Sequence, residues 1–288
     1  MTDTRTAALP VLDVDADGEA SIPTRTESDS LGSLQVPADA YWGIHTARAL
    51  ENFPISKRPI SVYPDLVRAL AMVKQASARA NHEIGVLDDE RADLIDRAAQ
   101  LVIDGQFHEQ FVTGVIQGGA GTSTNMNANE VITNIALELA GREKGDYAFL
   151  SPIDHTNRSQ STNDVYPTAI KVGLALNLQS LLEELDLLRR SFLVKASEFH
   201  DILKVGRTQL QDAVPMTLGQ EFHGFATTLG EDHARLLENR FLWGDRELAA
   251  RLDAPLLTVA ADGERRVESA VLQRHDEHRR RRRLPGGT

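Results

Sequence analysis

The strongest pattern along the chain is a run of apolar residues spaced alternately four and three positions apart, between residues 167 and 199. The run consists of Leu174, Leu178, Leu181, Leu185, Leu188 and Phe192. This spacing predicts a long helix with a coiled-coil-like seam on one face. At about 1.5 Å per residue the helix spans about 50 Å, and Pro167 suits its first turn. Because one helix cannot bury its own seam, the pattern also predicts partner helices.

Other periodic stretches extend the helical pattern over most of the chain. The same steps recur in Leu218, Phe222, Phe225 and Leu229, which predict the start of a second long helix. Residues 65–82, 88–104 and 127–141 predict three shorter helices, and Gly105 stops the middle one. Strand signal is weak and is confined to short extended pieces at Val36 and Tyr41–Ile44. The chain is therefore predicted to be mainly α.

The two ends of the chain differ in composition from its middle. Residues 1–22 are rich in Asp, Thr and Ala without periodicity, and are predicted to be a disordered leader. From Glu238 onward there are 11 Arg, no Lys and 9 acidic residues, including five consecutive arginines at 279–283. Three interpretations stay open for this tail: a solvated segment, a nucleic-acid-binding arm, and translation of a shifted reading frame, which we favour.

Bulk composition excludes several classes of protein. The formal charge of -11 argues against nucleic acid as the main partner. The absence of cysteine excludes disulfides and zinc–thiolate sites. No apolar run approaches the roughly 18 to 20 residues of a membrane span, so the sequence predicts a cytoplasmic protein without membrane contact.

Three polar segments rich in small hydroxyl and amide residues interrupt the helical pattern: Gly118–Asn127, Ser159–Thr168 and Gly206–Met216. Each precedes a predicted helix, where backbone amides and hydroxyl groups can bind an anion. The glycine run is not a nucleotide-binding loop, because no Gly-Lys-Ser/Thr follows it. For each segment taken alone, helix capping is the favoured explanation. If the fold brings the three together, they suit the two carboxylates of a small dicarboxylate.

These segments resemble three conserved loops of the aspartase/fumarase superfamily, and Glu27–Ser56 also resembles the start of that family. The likeness runs from about Arg25 to about Leu237. It implies a fold with a small N-terminal α-rich domain at residues 23–160, the first long helices of a central bundle at 161–237, and a divergent tail at 238–288. It further implies a homotetramer and no metal or organic cofactor. By resemblance, the substrate-binding residues are Thr122, Ser161, Thr162, Asn163, Thr208 and Gln209.

Details of the motifs favour aspartate ammonia-lyases over fumarases within this superfamily. The chain has Thr162 and Tyr166 where fumarases usually have Ser and Phe, and Gln209 follows Thr208 where fumarases and some aspartases have His. The resemblance implies deamination of L-aspartate to fumarate and ammonia. The alternatives are a class II fumarase-like lyase and a non-catalytic helical oligomerisation module.

The family's catalytic base is a serine in a Gly-Ser-Ser-x-Met-Pro loop, and this sequence contains neither a Ser-Ser nor a Met-Pro pair. We therefore assign no catalytic residue to this chain and expect it to be inactive or impaired by itself. His45 and His155 are interpreted as structural, because neither has a catalytic partner in the sequence pattern. No group of residues in the sequence suggests a metal site.

Overall fold

The computed structural model describes residues 23–243, and within them the chain is mostly helical. The predicted leader and almost all of the Arg-rich tail lie outside the described residues. The helices are α1 (Ile44–Asn52), α2 (Pro64–Glu83), α3 (Asp89–Ile103), α4 (Thr122–Leu139), α5 (Thr162–Glu198) and α6 (Leu218–Trp243). The strands are β1 (Thr24–Asp29), β2 (Gly32–Pro37), β3 (Leu203–Thr208) and β4 (Gln211–Thr217). Strands β1 and β2 form one antiparallel hairpin, and β3 and β4 form another. No helix in this part of the chain is long and apolar enough to cross a membrane.

The described chain divides into two compact units, one ending at Ile170 and the other beginning at Lys171. The first unit packs α2, α3 and α4 against one another. Its core is aliphatic and closely packed, with Leu70, Ile95 and Ile132 fully buried. The second unit contains the rest of α5, the β3–β4 hairpin and α6.

The predicted helices at 65–82 and 88–104 are confirmed as α2 and α3. Pro64 occupies the first turn of α2, where a missing backbone N–H costs nothing. The side chain of Asp88 caps α3 by accepting a hydrogen bond from the Arg91 amide at 3.0 Å. Gly105 follows α3 with a φ of +96°, a conformation that favours glycine, and so it ends the helix as predicted.

Helix α4 begins five residues before the predicted start at residue 127, because the first polar segment itself forms the opening turns. Its polar residues are buried: Asn125, Asn127, Asn129 and Glu130 are each at most 1% exposed. A helix with polar groups inside and almost no exposed face lacks the apolar stripe that periodicity detects. The hydrogen bonds of these residues hold the surrounding segments in place.

The prediction of extended structure is confirmed for Val36, which lies in β2, and is wrong for Tyr41–Ile44. These four residues lead into α1, which begins at Ile44. The entry to α1 is held by the Arg25 guanidinium, which donates to the carbonyl oxygens of Pro37, Ala40 and Trp42 at 3.0, 2.7 and 2.7 Å. Such tertiary hydrogen bonds carry no local sequence signal.

The long helix predicted from residue 167 begins at Thr162, so Pro167 lies inside α5 and not in its first turn. The predicted seam is largely uncovered in the single chain, where Leu174, Leu181 and Leu188 are between 45% and 47% exposed. The predicted second long helix is confirmed as α6. It packs on α5 through a cluster of aromatic rings, Phe192, Phe199, Phe222 and Phe225, with ring centroids 5.3–6.0 Å apart.

The third polar segment was expected to form the start of a helix, but it forms the β3–β4 hairpin. Thr208 pairs with Gln211, and Gln209 and Leu210 form the two-residue turn. Both turn residues have positive φ, of 49° and 63°, as a tight hairpin turn requires. Asn and Gly usually occupy such turns, and their absence removed the sequence signal for this hairpin.

Candidate functional site

The first two polar segments come together at the N-terminal ends of α4 and α5. The Asn125 side chain on α4 donates from Nδ2 to Thr162 Oγ1 on α5 at 3.0 Å. Gly121, which precedes α4, packs so closely on Tyr166 of α5 that an added Cβ would lie 2.2 Å from the ring. The convergence that the sequence could only suggest is therefore present for these two segments.

The turn before α4 contains three consecutive residues with positive φ, which determine its conformation. Gly119, Ala120 and Gly121 have φ values of 75°, 49° and 89°. The hydroxyl of Thr122, the first residue of α4, donates to the Gly119 carbonyl at 2.6 Å. Thr122 is exposed, but in this structure its hydroxyl proton is held within its own turn.

The start of α5 presents three polar side chains on consecutive residues. Ser161 caps the helix, since its Oγ accepts the Asn163 backbone N–H at 3.2 Å. The Thr162 hydroxyl accepts from Asn125, and the Asn163 side chain is exposed. Because the Ser161 and Thr162 oxygens both act as acceptors here, their protons remain available for donation to a ligand. Capping and ligand binding are thus compatible roles at this position.

The other two predicted binding residues, Thr208 and Gln209, lie on the β3–β4 hairpin of the second unit. Both are exposed, and Gln209 stands at the turn. The candidate site described here in the first unit is therefore formed by four of the six predicted residues: Thr122, Ser161, Thr162 and Asn163.

Beneath these residues lies a buried polar network that the sequence patterns did not single out. Lys74 on α2 is 0% exposed, and its ammonium group donates to Asn125 Oδ1, Asn157 Oδ1 and Gln160 Oε1 at 2.6, 2.9 and 2.8 Å. Burial lowers the pKa of Lys74 well below its usual value. The sequence feature that could have pointed to this network is a lysine on the apolar face of α2, four residues after Leu70 and one turn before Ala78.

A second buried network surrounds the carboxylate of Glu130 on α4. Its oxygens accept the backbone N–H groups of Gly43, His45 and Thr46 at 2.8–3.1 Å, together with the Thr46 hydroxyl at 2.6 Å. The carboxylate therefore caps the N-terminus of α1 from a distance of more than 80 residues in sequence. The Glu27 carboxylate completes the cap by accepting the Ile44 amide at 2.8 Å.

Both histidines that the sequence singled out have structural partners. His45 Nδ1 lies 3.0 Å from Glu130 Oε1, and His155 Nδ1 accepts the Ser151 backbone N–H at 2.8 Å within a π-helical turn, Pro152–Thr156. Within residues 23–243, no cluster of three or more His, Asp or Glu side chains could hold a metal ion.

The His45–Glu130 contact predicts a pH-dependent stability. The hydrogen bond to Glu130 raises the pKa of His45 above its usual 6.5, with Asp29 and Glu27 adding to the effect. Since the folded state binds this proton more tightly than the unfolded state, the stabilisation is present below about pH 6.5 and is lost as pH rises through the folded-state pKa. The difference in urea midpoint between wild type and His45→Gln should therefore shrink from pH 6 to pH 9. A difference independent of pH would contradict this assignment.

Comparison with known proteins adds independent information. Residues 32–242 match the family model described as "Lyase". Over 213 residues the chain is 61% identical to an aspartate ammonia-lyase from Pseudomonas aeruginosa. The solved structure of a fumarate lyase:delta crystallin from Brucella melitensis is 52% identical and superimposes with a TM-score of 0.74, over 81% of this chain and 54% of that one. A class II fumarase from Schistosoma mansoni is 35% identical with a TM-score of 0.68, over 77% and 46%.

The match covers most of this chain but less than half of its relative. It spans 74% of the chain and 45% of the Pseudomonas aeruginosa protein. The resemblance recognised in the sequence motifs is confirmed by these comparisons, as is the helical lyase fold.

Proposed function

This chain belongs to the lyase family whose model matches residues 32–242, and we propose that it works as part of an aspartate ammonia-lyase that converts L-aspartate to fumarate and ammonia. The observation that carries this proposal is the 61% identity to the aspartate ammonia-lyase of Pseudomonas aeruginosa. The identity to the class II fumarase of Schistosoma mansoni is 35%. As in the superfamily, we propose a cytoplasmic homotetramer, which would also cover the exposed seam of α5.

The chemistry of the site supports a dicarboxylate ligand. In the proposed reaction a base removes a proton from C3 of L-aspartate, and the C2–N bond then breaks to release ammonia. The intermediate carries additional negative charge on the carboxylate next to C3. Neutral hydroxyl donors held in place before the reaction stabilise that charge without a cost of reorganisation. We assign this role to Ser161 and Thr162, whose hydroxyl protons are available for donation, with Thr122 and Asn163 lining the site. Thr208 and Gln209 of the second unit remain binding residues that the sequence resemblance predicts.

Conversion in the proposed enzyme also needs the base, which the family carries in its Gly-Ser-Ser-x-Met-Pro loop. This sequence contains no such loop, so the 288-residue polypeptide alone is expected to form no fumarate from L-aspartate. The absorbance of fumarate, followed over time after L-aspartate is added to the purified polypeptide, measures its formation directly. Sustained formation of fumarate by the purified polypeptide would show that a group within this sequence acts as the base.

A chimera tests the proposed function itself. Residues 25–237 of this chain would replace the aligned stretch of the Pseudomonas aeruginosa relative, which supplies the missing loop. We expect the chimera to deaminate L-aspartate, and Thr162→Val to lower its kcat by about 10²-fold, a typical loss for one donor to a developing negative charge. Thr26→Val, on the exposed face of the β1–β2 hairpin, is the matched control and should retain activity.

Two results of the chimera experiment would contradict the proposal. Hydration of fumarate to malate without ammonia release from aspartate would indicate a fumarase-type site. Full deaminase activity in the Thr162→Val chimera would remove the binding role assigned to the start of α5.

A further inference from the structure

Lys74 is a buried cation without a carboxylate partner among its hydrogen bonds. Its three ammonium protons meet three side-chain amide oxygens, those of Asn125, Asn157 and Gln160, at 2.6–2.9 Å. An ammonium group has three donors and no acceptor, so this arrangement satisfies it fully. It also dictates that each of the three amides turns its oxygen, and not its nitrogen, toward Lys74.

The direction imposed on Asn125 has a consequence at the candidate site. With Oδ1 held by Lys74, the Asn125 Nδ2 group faces the opposite way and donates to Thr162 Oγ1 at 3.0 Å and to Asn157 Oδ1 at 3.1 Å. A hydroxyl oxygen that accepts this bond has its own proton free to donate. Within residues 23–243 the structure shows no acceptor for the Thr162 hydroxyl proton.

The same ammonium group anchors the segment that leads into α5. Asn157 Oδ1 receives hydrogen bonds from Lys74, Asn125 and Asn129, the last at 3.1 Å. The Gln160 Nε2 group then donates to the Thr156 carbonyl at 2.9 Å. Residues 157–160 are thus held from both α2 and α4, directly before Ser161 and Thr162.

We propose that Lys74 is a positioning residue that acts through Asn125 to keep the Thr162 hydroxyl a hydrogen-bond donor toward a bound carboxylate. This inference rests on the proposed function for the identity of the ligand, but its first step, the orientation of Asn125, is independent of any ligand. Lys74→Met keeps the approximate length of the side chain and removes only the ammonium group, although it leaves three buried amide oxygens without that donor. Lys74→Met therefore serves as the main test.

The ligand-independent measurement uses the 288-residue chain labelled with ¹⁵N on asparagine, with the Asn125 side-chain signals assigned by loss in Asn125→Ala. We expect Lys74→Met and Thr162→Val each to shift the Asn125 Nδ2 signals, because each removes a group that holds this amide. Lys171→Met, which changes an exposed lysine, is the matched control and should leave them in place. Unchanged Asn125 signals in Lys74→Met would overturn the proposal.

The ligand-dependent measurement is a double-mutant cycle with fumarate as the probe. A hydrogen bond to a charged group contributes roughly 1.5 kcal/mol, so Thr162→Val should weaken fumarate binding about tenfold in the wild-type background. In the Lys74→Met background the same change should weaken binding less than about twofold, because the hydroxyl is no longer oriented. An equal loss in both backgrounds would mean that Lys74 only stabilises the fold, and would overturn the positioning role.

A second variant keeps the test decisive if Lys74→Met does not fold. Asn125→Asp gives Lys74 an anionic partner but removes the donor to Thr162, so the Thr162 hydroxyl should turn inward to the new carboxylate. Thr162→Val should then have little effect on fumarate binding in this background, and an undiminished tenfold loss would overturn the role of Asn125 and with it that of Lys74. Both proteins compared carry the added charge, so its repulsion of fumarate cancels.

Failure of the proposed function gives a different result from failure of this inference. If the wild-type chain does not bind fumarate but its Asn125 signals respond to Lys74→Met as expected, the dicarboxylate assignment is wrong and the orienting network stands. If fumarate binds and the Asn125 signals do not respond, the site is supported and the role of Lys74 is refuted.

Discussion

Glu130→Ala is expected to destabilise the first unit by about 4 kcal/mol, because it leaves buried donors without a partner. The carboxylate accepts three backbone N–H groups and the Thr46 hydroxyl, and it is 0% exposed. No other described carboxylate replaces it, since Glu27 is engaged by Ile44, Arg25 and Tyr147. Urea denaturation followed by circular dichroism measures the loss.

The matched control for this prediction lies two turns further along the same helix. Glu138 is exposed and accepts one hydrogen bond, from the Tyr41 hydroxyl at 2.6 Å. Glu138→Ala should therefore cost about 1 kcal/mol or less. Equal losses for Glu130→Ala and Glu138→Ala would mean that α1 does not depend on the buried carboxylate for its cap.

Gly121→Ala is expected to cost about 3 kcal/mol, from two causes that act together. A residue with a Cβ at a φ of +89° is strained by about 1 kcal/mol or more. The added Cβ would also lie 2.2 Å from the Tyr166 ring, and such overpacking typically costs 1–3 kcal/mol. Thermal or urea denaturation of the 288-residue chain gives the total.

Gly85→Ala separates the two causes. Gly85 has a φ of +74°, but a Cβ added there meets no atom within 4 Å. It should cost about 1 kcal/mol, from backbone strain alone. If the two alanine variants lose the same stability, the close packing between the starts of α4 and α5 does not hold the candidate site together.

The sequence predicted those features of this protein that arise within single segments. Helices α2 and α3 could be predicted because apolar periodicity, Pro64 and Asp88 all act locally. Ser161 and Thr162 stood out because small hydroxyl residues before an apolar repeat are a local signal as well. The resemblance to the superfamily then indicated both the fold and the candidate binding residues.

What the sequence could not predict depends on contacts between distant segments. The opening of α4 was missed because its buried face is polar, and those asparagines find partners in other elements. Lys74 reads as one charge on the apolar face of α2 until Asn125, Asn157 and Gln160 are placed around it. The β3–β4 hairpin was missed because Gln209 and Leu210 adopt a turn conformation that their own preferences disfavour.

The capping of α1 by Glu130 also has a consequence for the order of folding. The nine residues of α1 form too short a helix to be stable alone, and their free amides are satisfied by a carboxylate 84 to 87 positions later in the chain. Closing so long a loop is entropically costly until α4 has docked in the core. Helix α1 should therefore be among the last elements of the first unit to form during folding, and among the first to open during transient unfolding.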